Sequence, residues 1–250
     1  MRISGAFFVG VYMKKLLSYF GKGEWALFGA SVILIVVSYA VFDRENPLTL
    51  IASLIGATSL IFNAKGNPIG QALTIVFSIL YGIISYSCAY YGEMITYLGM
   101  TLPMAAFSLI AWLKNPYKGN RSQVTVNKLK GREFIFMFAL SAAVTAAFYF
   151  ILVACNTANI IPSTISVTTS FIAVYLTFRR SALYALGYAA NDIVLIVLWV
   201  MAALEDKSYI SVVICFVMFL VNDIYGFISW TKMGRRQNLP AENAAPPDKQ

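Results

Sequence analysis

Two acids, Asp192 and Asp223, stand inside long apolar runs, each directly after an asparagine, Asn191 and Asn222. A charged side chain at the centre of a membrane helix costs about 2.5–3.5 kcal/mol on insertion scales. Neither run holds a lysine or arginine to offset that cost. Such carboxylates either bond across helices to hydroxyls and amides or meet a cationic ligand. Similar groups gather in the neighbouring runs. Gln71, Thr74, Ser78, Tyr81 and Ser85 recur at steps of three and four, which puts them on one helical face. Thr164, Thr168, Phe171 and Tyr175 share a face in a later run. Tyr184, Tyr188 and Asn191 follow, then Trp199 beyond Asp192, and Asn222, Tyr225 and Ser229 in the last run. Hydroxyls, amides and aromatic rings with carboxylates and no cation suit a ligand with a ring to stack, hydroxyls to bond, and zero or positive charge. Phosphate is disfavoured, since no intramembrane cation replaces its hydration, so a nucleoside fits better than a nucleotide.

Other chemistries lack their residues. The 250-residue chain has no histidine, which removes the commonest metal ligand and the usual general base and proton shuttle. Cys88, Cys155 and Cys215 lie in or beside apolar segments without paired spacing and read as small hydrophobes. No metal site, no cofactor and no enzyme active site are expected.

These residues are positioned by membrane helices. Hydrophobic residues make up 59% of the chain and charged ones 12%, about half the charge of a soluble domain, and the mean hydropathy is +0.71. Apolar runs cover roughly 25–42, 48–62, 69–91, 94–114, 133–154, 161–178, 182–204 and 208–231. Their length suits helices rather than the strands of a barrel. With both termini on one side, only Arg44 and Lys207 of the nineteen basic residues fall on the other. The positive-inside rule then makes the termini cytoplasmic. The +8 net charge therefore reflects topology, and no nucleic-acid partner is expected; the solvent is the lipid bilayer. Trp112 and Trp230 each precede a lysine by two residues, as Lys114 and Lys232 show, which is the placing of an interfacial anchor.

Ala106–Lys114, AFSLIAWLK, matches Ile224–Lys232, IYGFISWTK, at an offset of 118, and Pro47 and Pro162 open short spans at an offset of 115. Lys65 and the Arg179–Arg180 pair close those spans. The expected fold is an all-α membrane protein of eight transmembrane helices, with one N-terminal span plus a 3+1+3 core of two parallel three-helix repeats. Residues 1–24 form an amphipathic cytoplasmic segment, 25–42 a peripheral first span, 45–114 the first repeat and 115–132 a basic cytoplasmic loop. Residues 133–154 form a connector, 158–232 the second repeat and 233–250 a disordered cytoplasmic tail. Parallel repeats of this kind place a ligand near the midplane between them.

AKGNPIGQ at 64–71, ISY at 84–86, YGEM at 91–94, LPM at 102–104 and NDIYGFISW at 222–230 resemble the PnuC group of bacterial nicotinamide riboside transporters. The resemblance covers roughly residues 45–232. It implies a core related to the SWEET sugar transporters, commonly trimeric, in the bacterial inner membrane, working by facilitated diffusion. The span written SALYALGYAAND has Tyr184 and Tyr188 where many members carry tryptophans. The expected ligand contacts are Gln71, Thr74, Ser78, Tyr81, Thr168, Tyr188, Asn191, Asp192, Trp199, Asn222, Asp223 and Tyr225. The alternatives are another vitamin, such as thiamine or riboflavin, and a proton-coupled carrier using Asp192 or Asp223.

Overall fold

The structure is a computed structural model and describes residues 18–87, 90–157 and 159–238. The N-terminal segment up to residue 17, Cys88 and the tail beyond residue 238 lie outside the described residues. Among these, eight helices are long and apolar enough to cross a membrane: α1 (Lys22–Phe42), α2 (Pro47–Ala64), α3 (Pro68–Ser87), α4 (Tyr91–Leu113), α5 (Gly131–Ala154), α6 (Ile160–Phe178), α7 (Tyr184–Glu205) and α8 (Lys207–Gln237). Two boundaries differ from expectation. The fourth helix begins at Tyr91 rather than residue 94, drawing Glu93 into its first turn. The last continues to Gln237 instead of giving way to a tail at 233, because Met233 and Gly234 are buried and the Gln237 side chain has partners in the loop after α4.

Polarity is turned inside out. Ile33, Val37, Ile135, Phe136 and Phe150 are exposed on α1 and α5, while Gln71, Ser78, Ser85, Asn191, Asp192 and Asp223 are buried. Lipid solvates the first set, and only protein satisfies the second. Helix α2 packs on α3 and α8, α6 packs on α7 and α4, α1 lies against α2 and α8, and α5 lies against α6.

Helices α2 and α6 end in the same way. Gly66 N–H donates to Asn63 O (2.8 Å) and Asn67 N–H to Phe62 O (3.0 Å); Arg180 N–H donates to Thr177 O (2.9 Å) and Ser181 N–H to Leu176 O (3.0 Å). Gly66 (φ +66°) and Arg180 (φ +57°) are left-handed, as this helix ending requires. In each case the next polar residue then receives an amide: Ile69 N–H donates to Asn67 Oδ1 at 3.0 Å and Leu183 N–H to Ser181 Oγ at 3.3 Å. The cations closing the two helices also pair alike. Lys65 meets Glu24 of α1 at 2.8 Å, and Arg179 meets Glu133 of α5. Each glutamate also accepts the amide three residues earlier, Gly21 N–H at 2.7 Å and Lys130 N–H at 3.1 Å, the acceptor half of a capping box.

The basic loop is an ordered strap across both helix ends. Strands β1 (Pro116–Tyr117) and β2 (Asn120–Val124) form an antiparallel hairpin. Beyond it, Val124 N–H donates to Gly66 O and Asn127 N–H to Arg180 O, both at 2.9 Å. The Asn127 side chain reaches Arg179 O at 3.1 Å. Gln237 of α8 accepts from Val126 N–H at 2.8 Å and donates to Val124 O at 3.0 Å. Beneath the strap lie Trp112 and Trp230, 1% and 0% exposed, with ring centroids 5.3 Å apart. They are not lipid-interface anchors. Trp112 Nε1 donates to Thr177 O at 3.0 Å and Trp230 Nε1 to Asn63 O at 2.7 Å, so the last helix of each group of three caps the first helix of the other.

Replacing either tryptophan with phenylalanine keeps the ring and removes one buried donor. Trp112→Phe and Trp230→Phe are each expected to cost about 1–3 kcal/mol. Thermal unfolding of the purified protein checks this; a melting temperature unchanged in both variants would contradict the role assigned to the indole N–H groups.

Candidate functional site

A cavity of about 50 Å³ lies in the middle of the bundle, where the two groups of three helices meet. Its wall is built from Gly56, Ser59, Leu60 and Asn63 of α2, Thr74 and Phe77 of α3, and Tyr97 and Thr101 of α4. From the other side come Tyr188, Asn191 and Asp192 of α7 and Phe216, Phe219 and Asp223 of α8. A larger groove under the strap has an apolar floor of Val126, Leu129, Phe134, Phe227 and Trp230, with Lys128, Arg235 and Asn238 at its rim; it lies at the end of the bundle and not between the two groups of helices.

Local structure aims the wall residues inward. Within α4, residues Tyr97–Thr101 form a π-helical turn in which Leu102 N–H donates to Tyr97 O. Pro103 has no N–H for the Gly99 carbonyl, and the ladder widens there. The widened turn presents Tyr97 and Thr101 to the cavity, a common use of such turns. A Cβ at Gly56 would lie 2.3 Å from Phe219 Cζ and 3.1 Å from Phe77. The missing side chain on α2 is therefore what admits both rings.

Asparagines carry the polar wall. Asn63 Oδ1 accepts from Gln71 Nε2 at 2.9 Å, and Asn63 Nδ2 donates to Thr74 Oγ1 at 3.3 Å. Asn191 Oδ1 accepts from Thr169 and Ser170 at 2.9 Å and from Ser166 at 3.4 Å. With their carbonyl oxygens occupied, the amides are held in one orientation. Asp192 of α7 and Asp223 of α8 line the same cavity from adjacent helices. Asp192 Oδ2 has no partner among the described residues. No lysine or arginine lines the cavity, so it offers hydrogen-bonding groups, rings and two acids.

Away from the strap, aromatic rings close the cavity. Tyr81 lies tilted against Tyr97 (4.3 Å) and packs edge-on to Phe216 (5.6 Å), and Phe77 meets Phe219 (5.6 Å). Trp199 Nε1 donates to Tyr81 Oη at 2.7 Å, joining α7 to α3.

Of the residues singled out from sequence, Thr74, Tyr188, Asn191, Asp192 and Asp223 line the cavity. Gln71 stands one layer behind, holding Asn63, and Ser78 bonds to the Thr74 carbonyl of its own helix. Tyr81 and Trp199 belong to the aromatic layer. Three others point elsewhere. Asn222 donates to Ser31 of α1 (2.9 Å) and to Met218 O; Tyr225 donates to Glu24 (2.9 Å); Thr168 bonds with Thr145 of α5 (2.8 Å). Their helical registers differ from that of Asp223 by enough to face a neighbouring helix instead.

Sequence reasoning missed Asn63, Ser59, Tyr97, Thr101 and Glu93. Asn63 and Ser59 are spaced i, i+4, as are Tyr97 and Thr101 and also Glu93 and Tyr97, so helical spacing carried a signal. For Asn63 and Glu93 it was obscured by ending the second span at 62 and starting the fourth at 94; Ser59, Tyr97 and Thr101 lay within the predicted spans and were passed over.

Over residues 46–232 the chain matches the family described as "Nicotinamide mononucleotide transporter". It is 26% identical over 225 residues to the "Nicotinamide riboside transporter PnuC" of Neisseria mucosa, covering 86% of this chain and 85% of that protein. The fold is that of the solved structure titled "Crystal structure of the Vitamin B3 transporter PnuC", with a TM-score of 0.78 at 22% identity over 88% of this chain and 94% of that one. The chain, with its eight candidate spans, therefore belongs to the nicotinamide mononucleotide transporter family, a family of transporters and not of enzymes.

Proposed function

We propose that this protein carries nicotinamide riboside across the bacterial cytoplasmic membrane by facilitated diffusion, with the central cavity as its binding site. The observation that carries the reading is the Asp192–Asp223 pair in a cavity of rings, hydroxyls and amides without a cation. Nicotinamide riboside has a pyridinium charge for the acids, a ring for Tyr97, Tyr188, Phe216 and Phe219, and a carboxamide and ribose hydroxyls for Asn63, Asn191 and Thr101. The family description names the mononucleotide and the curated relative the riboside. The cavity favours the riboside, because a phosphate there would meet two carboxylates and no lysine or arginine. Both names concern nicotinamide compounds, which tells against thiamine or riboflavin, and facilitated diffusion needs no coupled proton.

The basic strap and the cations at the ends of α2, α6 and α8 support reading that end, with both termini, as cytoplasmic. The matched turns, glutamate pairs and crossed tryptophan bonds support reading α2–α4 and α6–α8 as two copies of one unit. Transport is then a rocking of one copy against the other. A cavity of about 50 Å³ is smaller than the 300–1,000 Å³ usual for ligand sites, so the copies part to admit the riboside. The family resemblance adds a homo-oligomer, expected to be a trimer.

Calorimetric titration should show nicotinamide riboside binding and its mononucleotide weaker by at least about 100-fold, the scale of an uncompensated buried charge. Tighter mononucleotide binding would refute the assignment. Asn191→Ala should weaken riboside binding about tenfold, the loss of one or two good hydrogen bonds. Asn222→Ala should lower thermal stability yet leave affinity within about twofold, because its amide serves α1. In vesicles lacking any kinase, riboside uptake should level off at equal concentrations and be insensitive to an uncoupler; accumulation abolished by the uncoupler would establish a coupled carrier.

A further inference from the structure

Glu93 is a further buried acid, at the start of α4, and it does not line the cavity. It sits in the first turn of α4, 1% exposed. Neither carboxylate oxygen has a hydrogen-bond partner among the described residues. Its near neighbour is Ser166 of α6, whose hydroxyl is directed to Asn191 Oδ1 at 3.4 Å. The described ion pairs engage Glu24 and Glu133, so no lysine or arginine answers Glu93. Burying an unpaired carboxylate is among the costlier arrangements in a bilayer, and a purely structural contact would have been served by a neutral amide of the same shape.

Its position relates it to the path. Tyr97, one turn deeper on the same face of α4, lines the cavity and feels both Glu93 and Asp192. The helical rise puts Glu93 about 6 Å further from the cytoplasmic end than Tyr97. Glu93 also acts electrostatically on Tyr81, whose ring lies 4.3 Å from that of Tyr97. The acid therefore stands beside the aromatic layer that separates the cavity from the end opposite the strap.

We propose that Glu93 is a charge-selecting residue of the entry path, which receives the cationic ring of the substrate at the aromatic layer before it reaches Asp192 and Asp223. Rings on the path hold the flat face of a pyridinium, and a carboxylate at their edge supplies the negative potential that a neutral analogue cannot exploit. Entry then proceeds between two anionic stations. This inference rests on the riboside reading above.

The test compares nicotinamide riboside with its reduced form, which keeps the carboxamide and ribose but has an uncharged dihydropyridine ring. Full-length protein in liposomes is assayed for initial uptake of each. Wild type should prefer the cation. Glu93→Gln should cut that preference at least about fivefold, and Glu93→Asp should retain most of it, as expected of a charge contact in a medium of low dielectric. An equal fall for both compounds in Glu93→Gln would show a packing role and overturn the proposal. A wild type that takes up neither compound would defeat the riboside reading itself, and this inference with it. Should Glu93→Gln not fold, wild type still decides the matter. Modification of Glu93 by a hydrophobic carbodiimide, read by peptide mass spectrometry, should drop under saturating nicotinamide riboside and drop less at matched occupancy by the reduced form. Identical labelling with and without the cation would overturn the proposal.

Discussion

The carbonyl groups freed at a helix end need donors from outside the helix, and in this protein the two groups of three helices meet where such ends gather. The carbonyls of Asn63 and Gly66, at the end of α2, take donors from Trp230 and Val124. Those of Thr177, Arg179 and Arg180, at the end of α6, take donors from Trp112 and Asn127. Each donor comes from α4, α8 or the strap between them. Satisfying the helix ends and holding the two groups together are thus one set of interactions. Movement at this end exchanges those bonds for others, and aqueous surroundings at the membrane surface are where such an exchange costs least.

The opposite end closes by different physics. Phe77, Tyr81, Tyr97, Trp199, Phe216 and Phe219 meet edge to face, tilted or, for Phe77 and Tyr81, stacked, with the Trp199–Tyr81 bond as a directional tie. Ring contacts of this type are worth about 0.5–1.5 kcal/mol each and tolerate sliding. A carrier with a bonded gate at one end and an aromatic gate at the other has two barriers that respond to different perturbations. Charge is divided along the same axis. Asp192, Asp223 and Glu93 stand within the bundle, while Lys65, Arg179, Arg180, Lys232 and Arg236 gather at the strap end. Under the proposed function, a cation entering between the rings would meet acids and no basic residue until it has passed the cavity.

Much of this was legible in the residues. Lipid as solvent is written in the length and apolarity of the runs, and the positive-inside bias counts them, because every misplaced span would reverse the side of the charges that follow. The inward face of α3 could also be read, since Gln71, Thr74, Ser78 and Tyr81 repeat at helical spacing and lipid would not accept them. The site was partly readable. Asp192, Asp223, Asn191, Tyr188 and Thr74 reach the cavity, whereas Asn222 and Tyr225, chosen for standing beside Asp223, serve α1. Adjacent residues on a helix point about 100° apart, and only the packing of α1 shows which direction is solvent-free and which is substrate.

By itself, then, the sequence determined that the chain is an eight-span helical bundle that hides polar groups and carries acids without cations at its centre, because the cost of polar atoms in hydrocarbon is a property of each residue and its run. Tertiary structure alone decided which polar groups face the path. It turned Trp112 and Trp230 from surface anchors into crossed caps, made the basic loop a strap over two helix ends, and brought Glu93 from an apparent loop to the edge of the aromatic layer. Those outcomes depend on which backbone carbonyl or ring lies across a helix seam, and a donor's partner 52 to 167 residues away leaves no mark in the local pattern.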